Sequence, residues 1–291
     1  MATWNADKPA VGNQISADIP DIEENFQELH DVVQAITNGT LGTTTAADFK
    51  VDVLTSPAMW AEQRSQFVYK DADEIYINAG AYHHVGTVSQ VVYWSSQLTI
   101  DIGSPDASDW YYLYIDDSAV VSNGTNLLTA SEFLFSNTEP AWSDAKHGWY
   151  NGSDRCIFAV LTDGSSNIKE FFHDGGNLVK FADDITTNSS GNITTSFADA
   201  NALSIPKFST RGLVHFAWTY VDASSTVLWR TNGQTGSTGT RCVSAVAGST
   251  FNFNTCDVIT DSNQIIEVKE SATSNNLIDI WTTGWYFPAG M

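Results

Sequence analysis

Six histidines are scattered through the chain, and His83-His84 is the one adjacent pair, the first place to look for metal or acid–base chemistry. Neighbouring side chains on a strand point to opposite faces, so the two rings cannot readily share one ion. No His-Glu-x-x-His or comparable spacing accompanies them, and the pair reads as a loop or strand-end feature. Acidic turns recur at Asp71-Ala-Asp73-Glu74, Asp116-Asp117 and Asp183-Asp184. Such oxygen-rich turns can hold Ca²⁺, but the Asp-x-Asp-x-Asp-Gly loop is missing and ordinary turn chemistry is favoured. Nothing pairs two carboxylates as a glycosidase requires, and neither a Gly-x-Ser-x-Gly elbow nor a phosphate-cradling loop occurs. The expectation is a protein that is not an enzyme and needs no metal or cofactor. Cys156, Cys242 and Cys256 are odd in number and lack Cys-x-x-Cys spacing, which favours buried thiols over a disulfide framework or zinc.

The aromatic residues carry more weight. Trp142, Trp149 and Tyr150 fall in Glu-Pro-Ala-Trp-Ser-Asp-Ala-Lys-His-Gly-Trp-Tyr, which reads as a loop. Trp281, Trp285 and Tyr286 flank Thr282-Thr-Gly284. Exposed aromatic faces beside Asn, Asp and Thr suit stacking on sugar rings, and they also anchor protein interfaces. All six are candidate surface-binding or interface residues, although ten tryptophans in one chain must also supply core.

Only 16% of residues are charged, yet 34 acidic against 13 basic side chains leave a formal net charge of −21. So negative a surface repels phosphate backbones and anionic lipid, arguing against nucleic-acid and membrane partners. No run of about 18 apolar residues is present to span a bilayer. The opening Met1-Ala-Thr-Trp4-Asn-Ala-Asp-Lys8 lacks the basic and apolar parts of a secretory leader, so synthesis in a reducing cytosol is expected.

The elements that must position these residues are mostly strands. Ile15, Ile19, Ile22, Phe26, Leu29, Val33 and Ile36 are spaced 4-3-4-3-4-3, the pattern of a short coiled coil. β-Branched residues at several of these positions lean towards three strands rather than two. Asp18 can cap this helix and Asn38-Gly39 can stop it. Short apolar runs then alternate with turn residues from Phe67 to Phe172 and again from Leu213 to Phe287. Between them, about Asp184 to Ser204, the sequence turns rich in Thr, Asn, Ser and Ala. The expected fold is mainly β: a short N-terminal helix followed by two β-sandwich or jelly-roll-like domains. The expected division is an arm and oligomerising helix over 1–47, a first β domain over 48–184, a linker over 185–207 and a C-terminal sandwich over 208–291.

The opening Trp4-Asn5, Pro9, Gly12 and Ile15-Ser16, followed by Ile22-Glu-Glu-Asn25-Phe26-Gln-Glu-Leu29, resembles the N-terminal segments of bacteriophage tail-fibre and appendage proteins. There a Trp-containing arm punctuated by Pro and Gly runs into a short Asn-Phe-x-x-Leu helix. The stretch from Asp73-Glu-Ile-Tyr-Ile to Trp110-Tyr-Tyr-Leu-Tyr-Ile is similar to β modules of phage structural proteins. The resemblance covers roughly the first 120 residues. It implies a virion protein, assembled in the host cytoplasm, fibre-like and built around a symmetry axis, with no catalytic residues. The expected partners are the chain itself as a homotrimer, other virion proteins through the N-terminal arm, and a host-surface glycan or protein. A head-bound decoration protein remains open, as does a carbohydrate-binding module or glycan-degrading enzyme.

Overall fold

Alternating apolar and polar side chains set the first hairpins of the structure, a computed structural model that describes residues 65–219, 226–244, 252–271 and 277–291. The heptad positions Ile15 to Ile36 lie outside these residues. The chain divides after Ala61, and all described residues belong to one compact unit, Glu62–Met291. Within it run β1 (Phe67–Tyr69), β2 (Glu74–Ile77), β3 (Gly80–Val85), β4 (Ser89–Trp94) and β5 (Leu98–Asp101). Strand β6 (Trp110–Ile115) leads into helix α1 (Asp117–Asn123), then β7 (Phe133–Ser136), β8 (Ala141–Ser143), β9 (Gly148–Asn151) and β10 (Asp154–Leu161). Next come β11 (Phe171–His173), β12 (Leu178–Asn192), β13 (Ala198–Asp199) and β14 (Arg211–Thr219). Finally there are β15 (Thr226–Thr231), β16 (Thr240–Ser244), β17 (Asn252–Ile259), β18 (Ile266–Glu270) and β19 (Leu277–Tyr286). The fold is mainly β.

Hydrogen bonding orders the sheets β1-β2-β5, β3-β4, β7-β6-β10-β9-β8, β11-β12-β19-β14-β17 and β13-β18-β15-β16. Local chemistry explains the punctuation. Asp71 turns β1 into β2 by accepting the amides of Asp73 and Glu74 at 3.1 and 3.0 Å. Asp116 caps α1 by accepting from Ser118 and Ala119 N–H, and Gly124 ends the helix at φ 68°. The acidic pair Asp116-Asp117, which the sequence reads as a turn, thus marks the start of a helix that ends at Gly124.

The expected linker over 185–207 is replaced by structure. Residues 185–192 are the second half of β12, which pairs with β19 from Leu178↔Tyr286 to Asn192↔Leu277. Ile193, Ala200, Leu203 and Ile205 beyond it are buried. One five-stranded sheet therefore takes β11 and β12 from before this stretch and β14, β17 and β19 from after it. The core crosses the same line: Phe158 packs on Trp285 at 5.9 Å, and Tyr112 meets Phe208 at 5.7 Å. The two-domain division and its independent 208–291 module are corrected to one packed body. Apolar side chains on β10 and β19 need each other to leave water.

Candidate contact surface

The five-stranded sheet buries one face and leaves the other open. On β14 the alternate residues Val214, Phe216 and Trp218 are fully buried, so Arg211, Leu213 and His215 face outward, while Ala217 is itself covered. Register carries that face across the sheet. His215 lies opposite Thr255 of β17 and Trp281 of β19, and Trp281 lies opposite Thr186 of β12. The His215 ring meets Phe253 at 5.7 Å and Trp281 at 5.6 Å, both edge-on, forming an aromatic row over three strands. Phe253 is 62% exposed, Ile259 57% and Phe172 60%, the last on the far edge strand β11. On a chain this acidic, these exposed side chains give the open face an apolar character.

Beside the aromatic row is a polar clasp. Asp257 accepts from Arg211 and from the Tyr286 hydroxyl, each at 2.5 Å, and the Arg211 guanidinium lies 4.3 Å from the Tyr286 ring centre. Partial burial and the Asp257 carboxylate push the Tyr286 hydroxyl up to about 12, so it remains a donor.

The six aromatic candidates separate into surface and core. Trp281 and Tyr286 are half-buried on the open sheet face. Trp285, one residue before Tyr286 and so on the opposite face, is fully buried among Phe158, Phe208 and Phe287. It closes the core and presents no face to a partner. Trp142 and Trp149 form a cross-strand pair in the β8–β9 hairpin, 5.8 Å apart and edge-on, where the sequence read a loop. Trp142 is 42% exposed, with its indole N–H on Asp144 at 2.7 Å. The Trp149 N–H donates to the Ala289 carbonyl at 3.3 Å, and Gly290 packs directly on the Trp142 ring. Tyr150 is buried and its hydroxyl accepts the Val85 amide at 3.1 Å, which makes it a strut rather than a contact residue.

Sequence reasoning missed a buried polar knot next to that strut. His83 and His84 lie in mid-strand on β3, with His83 exposed and His84 wholly buried. The His84 Nε2 lies 2.9 Å from Asp117 Oδ1, and Thr87 adds its amide and, at 2.6 Å, its hydroxyl to the same carboxylate. Burial lowers the His84 pKa despite the Asp117 bond, so the ring is neutral and donates through Nε2. Burial would raise the Asp117 carboxyl, but Thr87 and His84 together hold it below the usual range. Arg155 braces the knot from beside it, donating to the His83 carbonyl and, at 3.2 Å, to the Gly290 carbonyl. His84 and Asp117 are buried and bonded to each other, with Thr87 closing on the carboxylate, so the knot reads as structural. The signal that could have found it is the strand alternation of β3, which sends one histidine of the pair inward.

Among the described residues, no group of three His, Cys, Asp or Glu side chains is disposed to hold a metal ion. No protein-family model matches the chain, and no curated protein matches it either.

Proposed function

We propose that this chain is a structural subunit of a tailed-virus particle, a fibre- or spike-like appendage that works by surface contact rather than by catalysis. The attribution to a virion draws on the Trp4-to-Leu29 resemblance. The contact role draws on one observation, the open aromatic face around Phe253, His215 and Trp281. In this reading Ile15 to Ile36 join three chains, and the sheets of each chain pack as a sandwich. The first occupant of the open face is another copy of the chain, because symmetry supplies that partner without a second protein. Contact with a host surface, and attachment to the tail, complete the proposal.

Immunogold labelling of purified particles with antibody to this chain should mark the tail. Label on the head would instead favour a decoration role, and unlabelled particles would sink the virion reading. In solution the full chain should scatter light as a species of three times its 31.7 kDa mass. Phe253→Ser with Ile259→Ser should change single-chain stability by no more than about 0.5 kcal/mol per site, since both side chains are exposed. The same pair should weaken assembly into trimers or particles. Assembly indistinguishable from the parent would remove this face from the interface.

A further inference from the structure

A cleft of about 440 Å³ opens where the start of β6, the turn after β10, the bulged part of β12 and the segment before β14 converge. Its volume falls within the range of small-molecule sites. Trp110, Ile185 and Leu203 give it an apolar wall. The Trp110 ring is braced from behind, 6.4 Å from Trp285 edge-on and 6.3 Å from Phe181, so its orientation is set before anything binds. Ser108, Ser204 and Gln264 add polar groups at the rim.

Charge singles this cleft out. Lys70 pairs with Glu74, Lys146 donates to the Gly152 carbonyl, and Lys269 donates to the Ser237 carbonyl. Lys169 and Lys207 both line the cleft without a side-chain hydrogen bond or close ion pair among the described residues. Lys169 also lies near enough to Asp163 to join the Asn167 and Ser165 amides in holding that carboxyl below its usual range, and it borders an adjoining cleft with Glu170 and Asp183. The cleft's own carboxylate, Asp163, is committed to its turn, accepting the amides of Ser165 at 2.8 Å and Asn167 at 2.9 Å. A second cleft lined by Lys180 also contains Glu170 and Asp174, which reverse its sign. On a chain of net charge −21, a cleft with two ammonium groups against one carboxylate is a local inversion of sign. The two ammonium groups attract an anion at short range, where solvent ions screen the repulsion of the acidic surface around them.

We propose that this cleft binds a carboxylate-bearing sugar unit. The pyranose ring's C–H face lies on the Trp110 indole, the carboxylate meets Lys169 and Lys207, and the hydroxyls meet the polar rim. The inference gives a ligand class to the surface-attachment reading and rests on it for its biological use, while the binding chemistry stands on the cleft alone.

Titration calorimetry of the full chain tests it with digalacturonate and N-acetylneuraminate, against neutral galactobiose and against sodium acetate. At least one acidic sugar should bind saturably, and more weakly as salt is raised. Lys169→Gln and Lys207→Gln should each weaken that binding about tenfold, the size of one charge-assisted contact, with melting temperature unchanged. No saturation by either acidic sugar at about 20 mM, beyond the millimolar range, overturns the proposal. So does equal binding of galactobiose or acetate, or full affinity in both variants. Labelled particles without sugar binding would remove the cleft and leave the attachment reading standing. Sugar binding without labelled particles would do the reverse.

Discussion

At the residue scale the most consequential side chain is His84, because its burial opposes a second proton even with the Asp117 carboxylate beside it. Its Nε2–H is spent on Asp117, and its buried Nδ1 has no hydrogen-bond partner among the described residues. The folded pKa lies below the unfolded value, so as pH falls below about 6.5 the unfolded chain takes up a proton that the folded chain refuses. Stability should therefore decline as pH falls from about 6.5, at up to about 1.4 kcal/mol per pH unit from this one group. Asp117 adds a separate loss only at lower pH. That loss begins near the ordinary aspartate pKa of about 3.9, where the unfolded chain protonates, and is complete once pH has fallen past the depressed folded value. Urea titrations of the parent and His84→Gln at several pH values check this; a variant with the parent's slope would exclude His84 as the source. Gly86→Ala probes the same knot sterically. A Cβ there would stand 1.8 Å from Asp117 Oδ1 and 2.6 Å from His84 Nε2, so a loss of about 2–4 kcal/mol is expected. The sequence showed that His83 and His84 must part, but the partner of His84 is thirty-three positions away. Separation of that kind leaves no local pattern to read.

At the element scale, legibility followed the regularity of alternation. Strands such as Trp110–Ile115 and Leu277–Tyr286 announce themselves by runs of aromatic and β-branched residues. Strand β12 does not, because its register with β19 slips between Lys180 and Ile185 and twice more before Asn192. Bulges admit the acidic pair Asp183-Asp184 and the Thr, Asn and Ser residues that composition assigns to a linker. The β8–β9 hairpin was hidden for a similar reason, since its turn runs through polar residues to His147 at φ 49°. Composition located the breaks in alternation correctly and misread what they were. The β12–β19 seam offers a direct test at Gly284. A Cβ there would lie 2.5 Å from the Val179 carbonyl and 3.1 Å from Lys180 Cα, both backbone atoms that cannot swing aside. Gly284→Ala should cost at least about 2 kcal/mol by forcing the two strands apart. Denaturant midpoints would show it, and a neutral substitution would mean that the seam can open locally.

For the whole molecule, the question is whether residues 62–291 melt as one unit or as the two halves that composition suggests. The five-stranded sheet settles which side chains must part company if the halves separate. Cutting near 207 strips β11 and β12 from one edge of β19, which leaves the Leu277–Tyr286 strand with an unpaired row of amides and carbonyls. It also uncovers Trp285, whose neighbours Phe158 and Trp110 lie on the other side of the cut. Uncovering a fully buried ring of that size forfeits several kcal/mol, a large share of any domain's net stability of roughly 5–15 kcal/mol. A fragment of residues 208–291 should therefore show no cooperative melt and no fixed aromatic signal in near-ultraviolet circular dichroism. Residues 62–291 should unfold in a single transition, with fluorescence and far-ultraviolet signals coinciding. A cooperative melt from the short fragment, or two resolved steps from the long one, would restore the boundary that the Thr- and Asn-rich stretch suggested. A single transition would have a functional meaning as well. The open aromatic face, the Trp142–Trp149 corner and the lysine-lined cleft all belong to this one unit, so a ligand that binds only the folded form at any of them stabilises the others by the same free energy.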